Sequence, residues 1–78
     1  MNIEQAKQII ANNIRAERTR ARMSQEETAE QLNITARTYM KYEQNVKAID
    51  CDILVKLSNL FKCDINDFFL NLDFTKRE

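Results

Sequence analysis

Five residues at helical spacing give the segment 36–44 a face that can approach an anion. Ala36, Arg37, Met40, Lys41 and Gln44 share this face. None of them is acidic, although acids make up 12 of the 78 residues. The planar guanidinium of Arg37 can donate two parallel hydrogen bonds, and the ammonium of Lys41 is a compact cation, so both suit an anionic ligand.

The helix that carries this face is predicted to follow a shorter helix and a tight turn. Ser24 can accept hydrogen bonds from free backbone amides, and Glu27, three residues later, completes a capping box, so a helix begins here. It ends at Asn33, because asparagine tolerates the left-handed backbone of a tight turn. Thr35 is the N-cap candidate of the next helix, which runs to about residue 44.

Further helices are predicted on both sides of this pair. Apolar residues at offsets of three and four predict a first helix to about residue 21 and a largely buried helix from Asp50 to near residue 62. A short fifth helix is expected at 65–69 after Asp64. Residues 70–74 alternate apolar and polar side chains, which predicts a short strand. The stripe of the first helix consists of Ile3, Ala6, Ile10 and Ile14.

The composition favours one all-α domain. The 78 residues include no Gly and no Pro, the usual helix interrupters, and 44% are hydrophobic. A core this small gives marginal stability unless a partner contributes. No apolar run approaches the roughly 20 residues that span a bilayer, and the start of the chain lacks the pattern of a secretion signal. We therefore expect a cytoplasmic protein without a membrane segment.

The charges are unevenly distributed along the chain. The formal net charge is zero, which by itself disfavours nucleic-acid binding. However, residues 7–47 contain eight basic and five acidic side chains, a net charge of +3, and the remainder contains four basic and seven acidic ones. The first part of the molecule can therefore still meet phosphate.

The sequence offers no residues for a metal centre or for catalysis. Cys51 and Cys63 are too few and too widely spaced for zinc, there is no histidine, and we expect two buried, reduced thiols. A Gly-rich phosphate loop and a recognisable acid pair are also missing. We expect neither an enzyme nor a protein with a metal, a cofactor or a small-molecule ligand.

The segment SQEETAEQLNITARTYMKYEQN, residues 24–45, resembles the helix-turn-helix of the phage-repressor and Cro type, the xenobiotic-response-element family. The resemblance extends over residues 14–69. Three positions depart from the family, because Asn33, Asn45 and Lys62 replace its usual glycines; the turn at Lys62 is expected to differ. The matching elements are Ser24-Gln25-Glu26-Glu27, Ala29, Leu32, Ile34, Thr35, Glu43, the downstream apolar series and Asp67-Phe68-Phe69.

The resemblance implies a five-helix, lambda-repressor-like DNA-binding domain at 1–69, with the helix-turn-helix at 24–44 and an extension at 70–78. In this family the helix after the turn enters the major groove of double-stranded DNA. By position, the base-reading residues are Ala36, Arg37 and Lys41. The phosphate-contacting residues are Gln25, Thr35, Thr38, Asn45 and Lys47.

Four further side chains are expected to have structural roles. Arg18 and Glu43 correspond to a pair that in several relatives forms a partly buried ion pair between the first and third helices. Tyr39 and Tyr42 could stack on bases, but they share a face with apolar positions, so core packing is the better interpretation.

A unit of this size normally binds a palindromic site as a two-fold dimer, so we expect a homodimer. The apolar tail is the expected interface, with packing inside one subunit as the alternative. The implied function is transcriptional regulation, most simply repression, in a bacterium or phage. The alternative is a protein-interaction module of the same fold, such as an antitoxin or an adaptor. The interface residues are Phe68, Phe69, Leu70, Leu72 and Phe74.

Overall fold

Four α-helices and one 3₁₀ helix follow one another in the computed structural model, which describes residues 1–44 and 49–73. The α-helices are α1 (Ile3–Arg20), α2 (Gln25–Leu32), α3 (Ala36–Gln44) and α4 (Cys51–Phe61), and the 3₁₀ helix is Ile65–Phe69. The all-helical prediction is confirmed, and the short fifth helix is present in 3₁₀ form.

The predicted strand at 70–74 is wrong for the residues that the structure describes. Residues 70–73 contain no strand, and the chain turns there through Asn71, whose φ is 72°. A left-handed residue interrupts the extended backbone that a strand needs. Phe74 lies outside the described residues.

The first helix starts earlier than its buried stripe. Asn2 and Gln5 form a capping box, in which the Gln5 amide donates to Asn2 Oδ1 at 2.8 Å. Ile3, however, is 61% exposed, which corrects its predicted place on the buried stripe. The burial starts at Ala6, so the first turn of α1 lies beyond the packed part of the molecule.

Left-handed residues end two helices at positions where the resemblance implies glycine. Asn33 ends α2 with φ 60° and ψ 42°, as predicted. Lys62 ends α4 with φ 55° and ψ 49°, so the expectation that this turn differs is wrong. The amide of the next residue, Cys63, donates to the carbonyl of Ser58 at 3.0 Å, which satisfies a carbonyl at the helix end. Lys62 therefore adopts the left-handed backbone that suits a glycine, and its Cβ atom adds strain.

A single cluster of buried side chains joins all five helical elements. The fully buried Phe68 brings the 3₁₀ helix into this core, so it is a core residue and its predicted place in a dimer interface is corrected. Asn13 Nδ2 strengthens this junction by donating to the carbonyls of Phe68 (3.0 Å) and Leu70 (2.9 Å). The cluster contains Ala11, Ile14, Ala29, Leu32, Tyr39, Leu57, Phe61 and Phe68.

The two cysteines differ from the prediction of buried thiols. Both are free, but Cys51 is exposed and only Cys63 is partly buried. Cys51 occupies the first position of α4, where its side chain meets solvent rather than the core. Burial, together with the nearby carboxylates of Glu17 and Asp67, raises the pKa of the Cys63 thiol.

Candidate nucleic-acid interface

The start of α3 is fixed by Thr35. Its Oγ1 accepts from the Thr38 amide at 3.1 Å, and its carbonyl accepts from the Tyr39 amide at 3.0 Å. The Thr35 hydroxyl also donates to the Thr38 hydroxyl at 2.9 Å. This satisfies a free amide at the helix N-terminus, as the sequence predicts, and leaves both threonines on the surface.

The two sides of α3 have different environments. Tyr39 is fully buried and Glu43 is 8% exposed, whereas Arg37 and Lys41 are exposed and Ala36 is half-buried. Thr38, Met40 and Gln44 are also exposed. The outer side therefore presents two cations and no acidic residue to solvent.

The tyrosines belong to the inner side. Tyr39 packs in the core, and its ring meets that of the half-buried Tyr42 edge-on, with 6.0 Å between ring centroids and 86° between ring planes. Core packing is thus the correct interpretation for Tyr39, and its ring is not available to stack on a base.

A buried polar network on the inner side ties three helices together. Arg18 of α1 contacts Glu43 of α3 through Nε–Oε2 (2.6 Å) and Nη2–Oε1 (3.2 Å), and its Nη1 donates to the carbonyl of Met23 at 2.7 Å. Gln25 of α2 donates to Glu43 Oε1 at 3.1 Å, and the Tyr39 hydroxyl donates to Glu43 Oε2. The structure thus contains the ion pair that the resemblance implies, with two further donors.

The hydrogen bonds decide the charge state of this network. Burial alone would raise the pKa of Glu43, but the bonds from Arg18, Tyr39 and Gln25 outweigh it and hold that pKa below its ordinary value. The bond to Glu43 raises the pKa of Arg18, and burial followed by the same carboxylate raises the pKa of Tyr39. At neutral pH, Glu43 is an anion paired with a cation and a neutral phenol.

Gln25 stands where the network meets the surface at the start of α2. Ser24 caps this helix, with the Glu27 amide donating to Ser24 Oγ and the Ser24 amide donating to Glu27 Oε1, each at 2.9 Å. One N–H of the half-buried Gln25 amide is used by Glu43. A side-chain amide has two N–H donors, and among the described residues only Glu43 accepts from it, so the second N–H can bind a ligand.

The other predicted site residues fall into two groups. Asn45 and Lys47 lie outside the described residues. In the predicted dimer interface, Phe69 is 38% exposed, Leu70 is 53% exposed and Leu72 is half-buried. Two large apolar side chains therefore face solvent at the end of the 3₁₀ helix.

One group of possible metal ligands escaped the sequence analysis, because its members are distant along the chain. Ligand atoms of Glu17, Cys63 and Asp67 lie within 4.8 Å of one another. Glu17 is already paired with Arg20 (2.7 Å), and Asp67 accepts from the Asp64 amide (3.2 Å). The first contact lies within α1 and the second caps the 3₁₀ helix, so both carboxylates already have structural partners. In the described part of the chain, no helix has the length and apolar character needed to cross a membrane.

Comparison with known proteins gives a consistent picture. A helix-turn-helix family model matches residues 14–68. Among similar solved structures, the SOS-response transcriptional repressor LexA from Eubacterium rectale has a TM-score of 0.76 at 18% identity, with 100% of this chain and 87% of that chain covered. The clp gene regulator ClgR from C. glutamicum has a TM-score of 0.72 at 14% identity, with 81% and 82% covered.

The DNA-binding domain of BldD is also similar, with a TM-score of 0.70 at 24% identity and coverage of 88% of this chain and 99% of that chain. No curated protein matches the sequence significantly. At these identities the structural matches establish the fold, and the family match covers more than half of the chain.

Proposed function

This chain belongs to the helix-turn-helix family of the phage-repressor and Cro type, whose members are DNA-binding transcription regulators, and from that premise we propose that it binds a palindromic operator as a homodimer and represses transcription. The observation that carries the proposal is the outer side of α3, which is exposed, basic and free of acidic residues. We propose that it is a cytoplasmic protein of a bacterium or phage.

Two side chains of α3 are suited to read bases. Arg37 and Lys41 lie one turn apart on the exposed side, and residues near the start of such a helix touch base edges in the major groove. We assign guanine recognition to Arg37, because its fork matches guanine O6 and N7, and either guanine or phosphate to Lys41. Ala36, half-buried beside them, offers a methyl group to thymine.

Phosphate contacts are assigned to side chains around this surface. Gln25 has one free N–H at the N-terminus of α2, where unpaired amides also favour an anion. Thr35 and Thr38 present exposed hydroxyls at the start of α3. Asn45 and Lys47 follow α3 in the sequence and complete the assignment. Contacts of this kind fix the register of a protein on the duplex and carry no sequence information.

The dimer is proposed because one unit of this kind covers too little DNA for specific binding. Two recognition helices about 34 Å apart fit successive major-groove segments of a palindrome. Phe69 and Leu70, with Leu72 beside them, supply exposed apolar surface for contact with a second copy, and Phe74 continues this segment in the sequence. The exposed surface of Leu70 is the strongest support for this placement.

Selection of bound sequences from a random DNA pool, followed by gel-shift measurements at low and physiological salt, tests the function. We expect a palindromic consensus and affinity that falls steeply with salt. A protein-interaction module, such as an antitoxin or adaptor, would yield no consensus and no salt-dependent retention. That result would overturn the proposal.

A further inference from the structure

An open depression of about 260 Å³ lies between α1, the start of α2 and the C-terminal half of α3. It adjoins the proposed DNA-binding surface, because Met40 and Gln44 belong to the outer side of α3 and Gln25 is an assigned phosphate contact. The lining residues are Arg15, Arg18, Gln25, Met40, Glu43 and Gln44. Arg15 lies on the α1 side of the depression. We propose that it binds a phosphodiester of the DNA backbone there.

The charge balance of the depression points to an anion. Arg18 and Glu43 neutralise each other through their ion pair, and Arg18 also donates to the carbonyl of Met23. Arg15 is exposed, and within residues 1–44 and 49–73 no side chain or backbone group bonds its guanidinium. Two cations and one anion leave a net charge of +1, which belongs to Arg15. An arginine without a partner at a concave surface attracts phosphate.

Comparison with the neighbouring arginines of α1 separates this side chain from the others. Arg18 is held by Glu43, and Arg20 is held by Glu17 at 2.7 Å and by the carbonyl of Phe61 at 3.3 Å. Those two arginines stabilise the packing of α1. Arg15 has no such contact in the described chain, so its role lies outside the folded monomer.

The position of Arg15 favours the backbone of DNA over the base edges. It reaches the surface beside Met40 and Gln44, near the C-terminal end of α3, whereas base edges are contacted from the start of the recognition helix. Gln25, whose side-chain amide has a second N–H besides the one that Glu43 accepts, lines the same depression. One phosphate can therefore meet the amide of Gln25 and the guanidinium of Arg15 together.

This inference rests on the proposed function, and the experiment separates the two. The full chain, R15Q and R15K are titrated against the selected operator and against operator variants at several salt concentrations between about 50 and 200 mM. Lys56→Gln is the matched control, because it removes one positive charge from the exposed side of α4, in a depression lined by Gln31 and Leu32 at the opposite end of α2.

Affinity falls as salt rises, and loss of one phosphate contact makes the plot of log affinity against log salt less steep by about 0.9. It also weakens the affinity by about eightfold at 0.1 M salt. We expect R15Q to show both changes on every sequence alike, and R15K and Lys56→Gln to keep the wild-type slope. Thermal unfolding of R15Q should match that of the wild type, because the side chain is exposed. A wild-type slope in R15Q, or an altered order of preferred bases, would overturn the inference. Absence of salt-dependent binding by the wild type would instead overturn the proposed function.

Discussion

Tyr39 donates its hydroxyl hydrogen to Glu43, one turn further along α3, and thereby fixes the carboxylate that joins this helix to α1. The bond lies inside a single helix, yet its acceptor holds Arg18 of α1 and Gln25 of α2. The buried side of α3 is thus held to the other two helices by one carboxylate. The orientation of α3 relative to the start of α2 depends on the Glu43 carboxylate.

Removal of the Tyr39 hydroxyl tests how much its hydrogen bond to Glu43 contributes to stability. We expect Tyr39→Phe to lower the free energy of unfolding by about 1.5–3 kcal/mol, the usual range for a hydrogen bond to a charged group, while the ring still fills the core. Urea unfolding measures the change. Tyr42→Phe is the control, because Tyr42 is half-buried and its hydroxyl makes no hydrogen bond within the described residues. Equal losses in both variants would contradict the assignment.

Acid should weaken the fold through Glu43. Its pKa is below the ordinary value in the folded chain, so its stabilising contribution is complete above the unfolded pKa of about 4.3 and is lost as the pH falls through the folded pKa. We expect the difference in unfolding free energy between the wild type and Glu43→Gln to be largest near about pH 7 and to shrink toward about pH 3. Urea titrations across this range measure it. A difference independent of pH would argue against an ionised Glu43.

Base reading and phosphate binding should separate in two variants. Arg37→Ala should lose about 1–3 kcal/mol of discrimination at one base pair, because a bidentate guanine contact is removed. Gln25→Ala should weaken binding to all sequences alike, and it should also lose some stability, since Glu43 then lacks one donor. Affinities for a panel of operator variants and unfolding curves measure both effects. The same pattern in both variants would refute this division of roles.

A charge at the exposed apolar segment should separate the proposed dimer. We expect Leu70→Asp to sediment as a monomer and to lose operator affinity, because it places a carboxylate in an apolar contact. Val55→Asp is the matched control, since Val55 is similarly exposed, at 47%, on α4. It should remain dimeric. Dissociation of the control instead of Leu70→Asp would move the interface to α4.

Replacement of Lys62 by glycine should stabilise the folded chain. In the left-handed region a residue with a Cβ atom is strained by roughly 1–2 kcal/mol, and glycine is not. We therefore expect Lys62→Gly to raise the free energy of unfolding by up to about 1 kcal/mol, since glycine also loses more chain entropy on folding. Lys56→Gly, inside α4, should lower it by about 1 kcal/mol. Chemical denaturation of the two variants would reveal opposite signs.

Local features of the fold could be predicted from the sequence because a few neighbouring residues determine them. The capping box at Ser24 and the turn at Asn33 each depend on side chains within one helical turn. The strand prediction failed because alternation alone does not reveal that Asn71 turns the chain. The apolar pattern predicts one interface for the whole segment 68–74, but Phe68 enters the core and Leu70 does not.

The site was predictable in part for the same reason. The exposed side of α3 follows from helical periodicity, and the pair of Arg18 and Glu43 followed from the resemblance. The contacts of Gln25 and Tyr39 with that carboxylate depend on how three helices pack, which no local pattern specifies. The sequence does not distinguish Arg15 from Arg18 and Arg20, because only the folded structure pairs those two with Glu43 and Glu17.

The side chain of Asn13 links the first helix to residues near the other end of the chain. Its side chain bonds carbonyls 55 and 57 residues away, and it belongs to the half of α1 that precedes the family match at residue 14. Removal of residues 1–13 would therefore leave the carbonyls of Phe68 and Leu70 without this donor and loosen the end of the 3₁₀ helix, far along the sequence from the cut.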